Sequence, residues 1–159
     1  MKGLPLPKGS CEAIYASHVL EHLSLRDFRI ALSNTYELLA EGGLFRLVVP
    51  DLKILASRYL ESAEPSAALA FMEQSHLGIS ERRRGLQGLL STAFGNSSHL
   101  WMWDLDSIRH ELSAAGFAEI CKRCFGDEPL FAEVEDESRF VDAVAVQCRK
   151  GRVSDNEDQ

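Results

Sequence analysis

No apolar run in this chain approaches the roughly 20 residues that a membrane-crossing helix needs. No secretory leader is expected either: Met1 and Lys2 run into Gly3, Pro5 and Pro7, not into an apolar core. Nor is there a basic excess. Lys and Arg number 17 against 24 Asp and Glu, for a net charge of −7, which excludes a nucleic-acid binder working through bulk charge. The local run Arg82, Arg83 and Arg84 reads as a solvated helix face or turn, with a phosphate-bearing substrate as the weaker option. Neither a membrane nor a nucleic acid is therefore expected as partner. The sequence shows no internal repeat, and no Gly-x-Gly-x-Gly occurs anywhere in it. Four cysteines without a leader point to a reducing, cytoplasmic setting.

What is present fits one soluble globular domain: 159 residues, 45% hydrophobic and 26% charged. The chain is organised around Cys11 to Leu23. Ala13 to Ala16 is short and apolar, as a buried strand is. Then Ser17, His18, Glu21 and His22 follow at once. A buried strand ending in titratable side chains is how an open α/β sheet builds a site, because ligands bind beyond the carboxyl ends of its strands.

The remaining elements follow in order. Leu4 to Ser10 is a Pro- and Gly-rich lead-in that cannot join a central sheet. Ser24 to Asp27 resembles a capping box with Asp in place of Glu. Leu25, Phe28, Leu32, Thr35 and Leu39 form a helical stripe that Gly42 and Gly43 are expected to stop. Leu44 to Val49 is an apolar run broken by Arg46, the signature of a strand covered on both faces. Asp51 is expected to cap a helix through Leu52, Leu55, Tyr59 and Leu60. Ala67 to His76 reads as helical, as does the spacing from Leu86 to Phe94; Gly95 to Ser98 reads as loop. His99, Trp101 and Trp103 precede a helix through Leu105, Ile108, Leu112 and Ala115, capped by Asp104 or Asp106 and ended by Gly116. Strands are expected over Ala118 to Phe125 and Phe140 to Cys148, joined by a charged loop. Residues 151–159 read as a disordered acidic tail.

Four stretches in this order carry a family resemblance. They are Leu4 to Leu23, Glu37 to Leu52, His99 to Asp104, and Leu112 to Phe117. Together they resemble the carboxyl-terminal half of a class I S-adenosylmethionine (SAM)-dependent methyltransferase of type 11, especially a bacterial group of predicted methyltransferases. The resemblance covers about residues 4–149 and implies a truncated methyltransferase-like domain over residues 1–150. It implies an α/β fold, a partial Rossmann-like sheet equivalent to strands 4-5-7-6, the last antiparallel, with helices on both faces. SAM is the cofactor it implies. The family's glycine-rich turn and ribose-binding acid lie upstream of the Leu-Pro-Leu-Pro lead-in, which only three residues precede here. The cofactor cradle is thus expected to be missing from this polypeptide.

The resemblance places Ala16, Ser17 and His18 at the methionine end of the cofactor. It makes His18, Glu21 and His22 the catalytic candidates, with His as base and Glu orienting an amine or hydroxyl. Asp51, His99, Trp101 and Trp103 fall on the substrate side. The competing reading of Ser17 to His22 is a helix start with locally satisfied polar groups, and of the tryptophans, core or interface. His18 to His22 also spells His-x-x-Glu-His, the pentad of inverted zinc peptidases, but a strand running into it is the wrong context. Cys121 and Cys124 form a lone Cys-x-x-Cys whose side chains face opposite ways on a strand. No metal is expected. The methyl acceptor, a small molecule or other, stays open. The alternative to methyl transfer is a catalytically silent module for binding or oligomerisation, as a homodimer through the edge strand at residues 13–16 or with an upstream partner chain.

Overall fold

The computed structural model describes residues 4–78 and 98–151. The Leu86 to Phe94 helix, most of the Gly95 to Ser98 loop, Arg82 to Arg84, and the tail beyond Gly151 lie outside the described residues.

Four strands, β1 (Cys11–Ser17), β2 (Leu39–Pro50), β3 (Phe117–Arg123) and β4 (Ala143–Lys150), form one sheet in the order β1-β2-β4-β3. β1 and β2 run parallel, and β4 runs antiparallel to both neighbours. This is the 4-5-7-6 order with an antiparallel last strand. Among the described residues the α-helices are α1 (Leu25–Leu38), α2 (Leu52–Glu61), α3 (Ala67–Gln74) and α4 (Leu105–Ala114).

The helical stripe does what its spacing dictates. Phe28 and Leu32 of α1 and Ile108 and Leu112 of α4 are fully buried against Phe45, Leu47 and Val49 of β2 and Val144 and Val146 of β4. Each such side chain contributes about 1.5–3 kcal/mol of transfer free energy. The opposite face of β2 carries Arg46, beneath two 3₁₀ turns, Pro129–Phe131 and Glu137–Phe140.

Three boundaries differ from the sequence reading. Gly42 and Gly43 do not end α1. The helix stops at Leu38, and both glycines lie inside β2. There the β1–β2 register jumps from Cys11↔Leu39 to Ala13↔Leu44, so β2 bulges. Gly42 takes φ 73° in the bulge. A Cβ on Gly43 would sit 2.9 Å from the Ala40 carbonyl oxygen and 3.2 Å from that of Cys11. The glycines answer a strand's close approach, not a helix end. Phe140 is not in the last strand. It belongs to the second 3₁₀ turn, and left-handed Asp142 (φ 53°) separates it from β4. Phe125 likewise lies beyond β3, against the Phe140 ring.

The caps fall where the sequence places them. The Ser24 hydroxyl oxygen accepts from the Asp27 amide, and the Asp51 carboxylate accepts from the Lys53 amide. Of the two candidates for α4, Asp104 is the cap. Its carboxylate accepts the Ser107 amide at 2.8 Å, and the Ser107 hydroxyl returns to the Asp104 amide at 3.1 Å. Asp104→Ala is expected to cost about 1 kcal/mol, read as a lower urea midpoint with an unchanged slope. A midpoint equal to that of the parent chain would show that the cap contributes nothing.

Candidate functional site

β1 ends at Ser17, and His18 turns out of the strand with φ 51° while its amide still donates to the Val48 carbonyl. A 3₁₀ turn, Leu20–His22, follows. It drives Glu21 inward until the residue is 0% exposed. The Glu21 carbonyl accepts the amides of Leu100 (2.8 Å) and Trp101 (3.1 Å), which fastens the segment after Ser98 across the sheet end. His99 is thereby laid against Glu21.

Three imidazoles surround that carboxylate. Glu21 Oε1 lies 3.4 Å from His18 Nδ1, 3.9 Å from His22 Nε2 and 4.0 Å from His99 Nε2. None is aligned as a hydrogen bond, and both Glu21 oxygens are buried without a hydrogen-bond partner. His18 Nε2 donates to the Arg139 carbonyl at 2.9 Å, and His22 Nδ1 to that of Ser98 at 3.2 Å. The pull of the Glu21 carboxylate raises the His18 pKa against the opposing effect of burial. For His99 burial dominates and lowers it.

These residues line a cavity of about 410 Å³ at the carboxyl end of β1 and β2, together with His76, Gln74, Leu55 and Asp142. A larger depression beside Leu25 and Ile30 on α1 is open surface without a convergent acid or nucleophile.

Of the sequence candidates, His18, Glu21, His22 and His99 meet at the cavity. Ser17 is next to it in the chain, its hydroxyl buried without a partner among the described residues. Ala16 packs on the core. Asp51 is taken up by capping α2. Trp103 is buried in the core, stacked on Phe28 with ring centroids 4.1 Å apart, whereas Trp101 is 41% exposed. The pentad from His18 to His22 does not lie on one helix, as a zinc peptidase requires. Cys121 and Cys124 are free thiols.

Sequence reasoning missed His76. It follows α3, takes φ 52°, accepts the His99 amide on its carbonyl, and sets its ring 4.9 Å from that of His99. No local motif marks it. It also missed Arg139, which contributes through a backbone carbonyl that any residue supplies.

A parallel β-α-β unit with its polar cluster at the strand ends, closed by an antiparallel last strand, defines a Rossmann-like α/β domain. Residues 3–122 match the family described as methyltransferase domain, and the chain belongs to that family. Among solved structures it resembles a chain of the complex between the Trm112 methyltransferase activator of Haloferax volcanii and a methyltransferase, with TM-score 0.53 and 14% identity over 94% of this chain and 57% of that one. It resembles a SAM-dependent methyltransferase of Archaeoglobus fulgidus (TM-score 0.50, 16% identity, 91% and 62% covered). Another from Thermotoga maritima gives TM-score 0.51 at 16% identity, with 93% and 60% covered. The chain thus spans about three-fifths of the length of these structures. No curated protein matches it. Among the described residues no helix is long and apolar enough to cross a membrane.

Proposed function

We propose that this chain forms the acceptor side of a SAM-dependent methyl-transfer domain. The reading rests on the convergence of His18, Glu21, His22 and His99 on one cavity beyond the parallel strand ends, where open α/β sheets hold ligands. The unpartnered buried Ser17 hydroxyl fits a polar group at the end of β1. Ala16, Ser17 and His18 would hold the methionine end of SAM, which supplies an electrophilic methyl when bound. His18 or His22 would take the acceptor's proton, and Glu21 would orient its amine or hydroxyl. The chain's contribution is proximity and alignment for in-line attack. A cavity of about 410 Å³ suits a small-molecule acceptor. Four free thiols suit a cytoplasmic setting.

These 159 residues hold no Gly-x-Gly-x-Gly, so the chain by itself is expected to bind SAM only at millimolar or weaker affinity, about −4 kcal/mol. Titration followed by NMR should shift His18 and Ser17 resonances in that range. Micromolar binding by calorimetry would overturn the expectation and mean that another loop supplies the cradle. No shift at millimolar SAM would leave the second reading, a silent binding or oligomerisation module. That reading is favoured by one observation, the outer edge of β1, with which no strand pairs among the described residues. We propose for it a homodimer through residues 13–16, with an upstream partner chain as the other occupant.

A further inference from the structure

We infer that Glu21, His22 and His99 form a binding site for a divalent transition-metal cation, with zinc the best fit. One ligand atom from each lies within 4.8 Å of the others. The Glu21 carboxylate is the independent sign of a missing partner. It is 0% exposed, and neither oxygen receives a hydrogen bond. A buried carboxylate without donors costs several kcal/mol unless it is neutralised or coordinated. His18 Nδ1 faces it at 3.4 Å but is poorly aligned, and the Nε2 atoms of His22 and His99 stand at 3.9 and 4.0 Å, too far to donate. The three ligand atoms, now within 4.8 Å of one another, would draw together on a tetrahedral ion, whose ligand atoms stand about 3.3 Å apart at ordinary Zn–N and Zn–O lengths.

The outer contacts have the right sense. His22 Nδ1 donates to the Ser98 carbonyl, and its Nε2 faces Glu21 Oε1 at 3.9 Å. A ligating histidine is held in this way by the hydrogen bond on its other nitrogen. The backbone bonds from Leu100 and Trp101 to Glu21 fix the distance between the two ligand-bearing segments. Two imidazoles and one carboxylate select zinc over magnesium or calcium, which prefer all-oxygen shells. Three protein ligands leave a position open, and all three line the cavity of about 410 Å³.

Glu21 and His22 stand in the His-x-x-Glu-His pentad of the sequence, but this set of three does not. His18 and His22 alone, beyond a strand, carry no metal geometry, and His99 arrives only through the fold. The assignment gives Glu21 and His22 a task other than orienting the acceptor and taking its proton, and zinc binding reads it without SAM or methyl transfer.

The test is calorimetric titration of the chelator-treated full chain with zinc ions alone. One zinc per chain at micromolar affinity or tighter is expected. His99→Ala and Glu21→Gln should each weaken binding by about tenfold or more, while His110→Ala, on the exposed side of α4, should not. Circular dichroism on each variant checks folding. Cobalt added to the parent chain should give the intense visible bands of a four-coordinate site whether or not a variant folds. A folded parent chain that binds no zinc would overturn the proposal. So would binding that survives His99→Ala but is lost in Cys121→Ser/Cys124→Ser.

Discussion

Glu135→Ala is expected to destabilise the chain by about 3–5 kcal/mol, the cost of stranding a buried charge. The charge is Arg46. It sits in the middle of β2 at 0% exposure, and the Glu135 side chain beside it is equally buried. Arg46 Nε lies 3.0 Å from Glu135 Oε1. The guanidinium also donates to Asp127 and to the Cys124 carbonyl, and the rings of Phe131 and Phe140 flank it at 5.8 and 6.0 Å. Glu135 in turn accepts the Gly126 amide at 2.9 Å. One cluster therefore fastens the cover of residues 124–140 to the sheet. Removing Glu135 leaves the guanidinium in a dry site with Asp127 as its remaining carboxylate, whereas replacing Arg46 and Glu135 removes both fully buried charges together and leaves only the part-exposed Asp127. Arg46→Met/Glu135→Leu should thus cost less than the sum of its single variants. Urea denaturation followed by tryptophan fluorescence reads all of them. A Glu135→Ala loss under about 1 kcal/mol would show that water reaches Arg46. The same cluster predicts acid sensitivity. Burial pushes the Asp127 pKa up, but the Cys124 amide and Arg46 outweigh it, and the net direction is down. A depressed carboxylate stabilises the fold above its unfolded pKa. Its share is lost as pH falls through the lower folded value, below the ordinary aspartate range.

Arg46 also shows how much of the fold was legible. An apolar run broken by one charge predicts a strand covered on both faces, and β2 is that strand. The pattern could not say what pairs with the charge, because Asp127 and Glu135 lie in a stretch whose composition reads as solvated loop. Only the fold turns that loop onto the sheet. Gly42 and Gly43 misled for a related reason. Glycine marks any place where backbone needs room, and sequence alone does not tell a helix end from a neighbouring strand. The caps at Ser24, Asp51 and Asp104 were legible because capping is local, spanning two or three residues.

The site divides in the same way. Ser17 to His22 was readable as the end of a strand, since the switch from apolar to titratable residues happens within one segment. His99 was readable only as a companion of two tryptophans. Its contact with Glu21 depends on two backbone hydrogen bonds between segments far apart in the chain. His76 had no signal at all. Trp103 belongs to the core and Trp101 to the surface, a split the two-residue spacing does not foretell, since residues i and i+2 of an extended segment share a face; it comes from the bridge of Trp103 to Asp51 and its stack on Phe28.

Ala13→Pro is expected to convert a dimer to a monomer without unfolding the chain. β1 pairs with β2 along one edge, and among the described residues no strand pairs with the other. The His18 amide points to β2, where it meets the Val48 carbonyl. Amides alternate along a strand, so those of Ala13, Tyr15 and Ser17 point to the open edge. An uncovered row of donors and acceptors recruits another strand. A second copy of β1 running antiparallel closes the pairing by a two-fold axis and makes one sheet across both chains. Proline at residue 13 removes an outward donor and leaves the bonds to β2 intact. Ile14→Lys is a less discriminating probe of the same edge. Ile14 packs against the core, and the Tyr15 ring rests on Phe131, whereas Val19 is 53% exposed. A lysine there would damage the fold and the edge at once. Light scattering should give twice the chain mass for the parent and the single mass for Ala13→Pro, with matching circular dichroism. A parent chain that stays monomeric at high concentration would refute the edge dimer, and a dimer that survives Ala13→Pro would place the interface elsewhere.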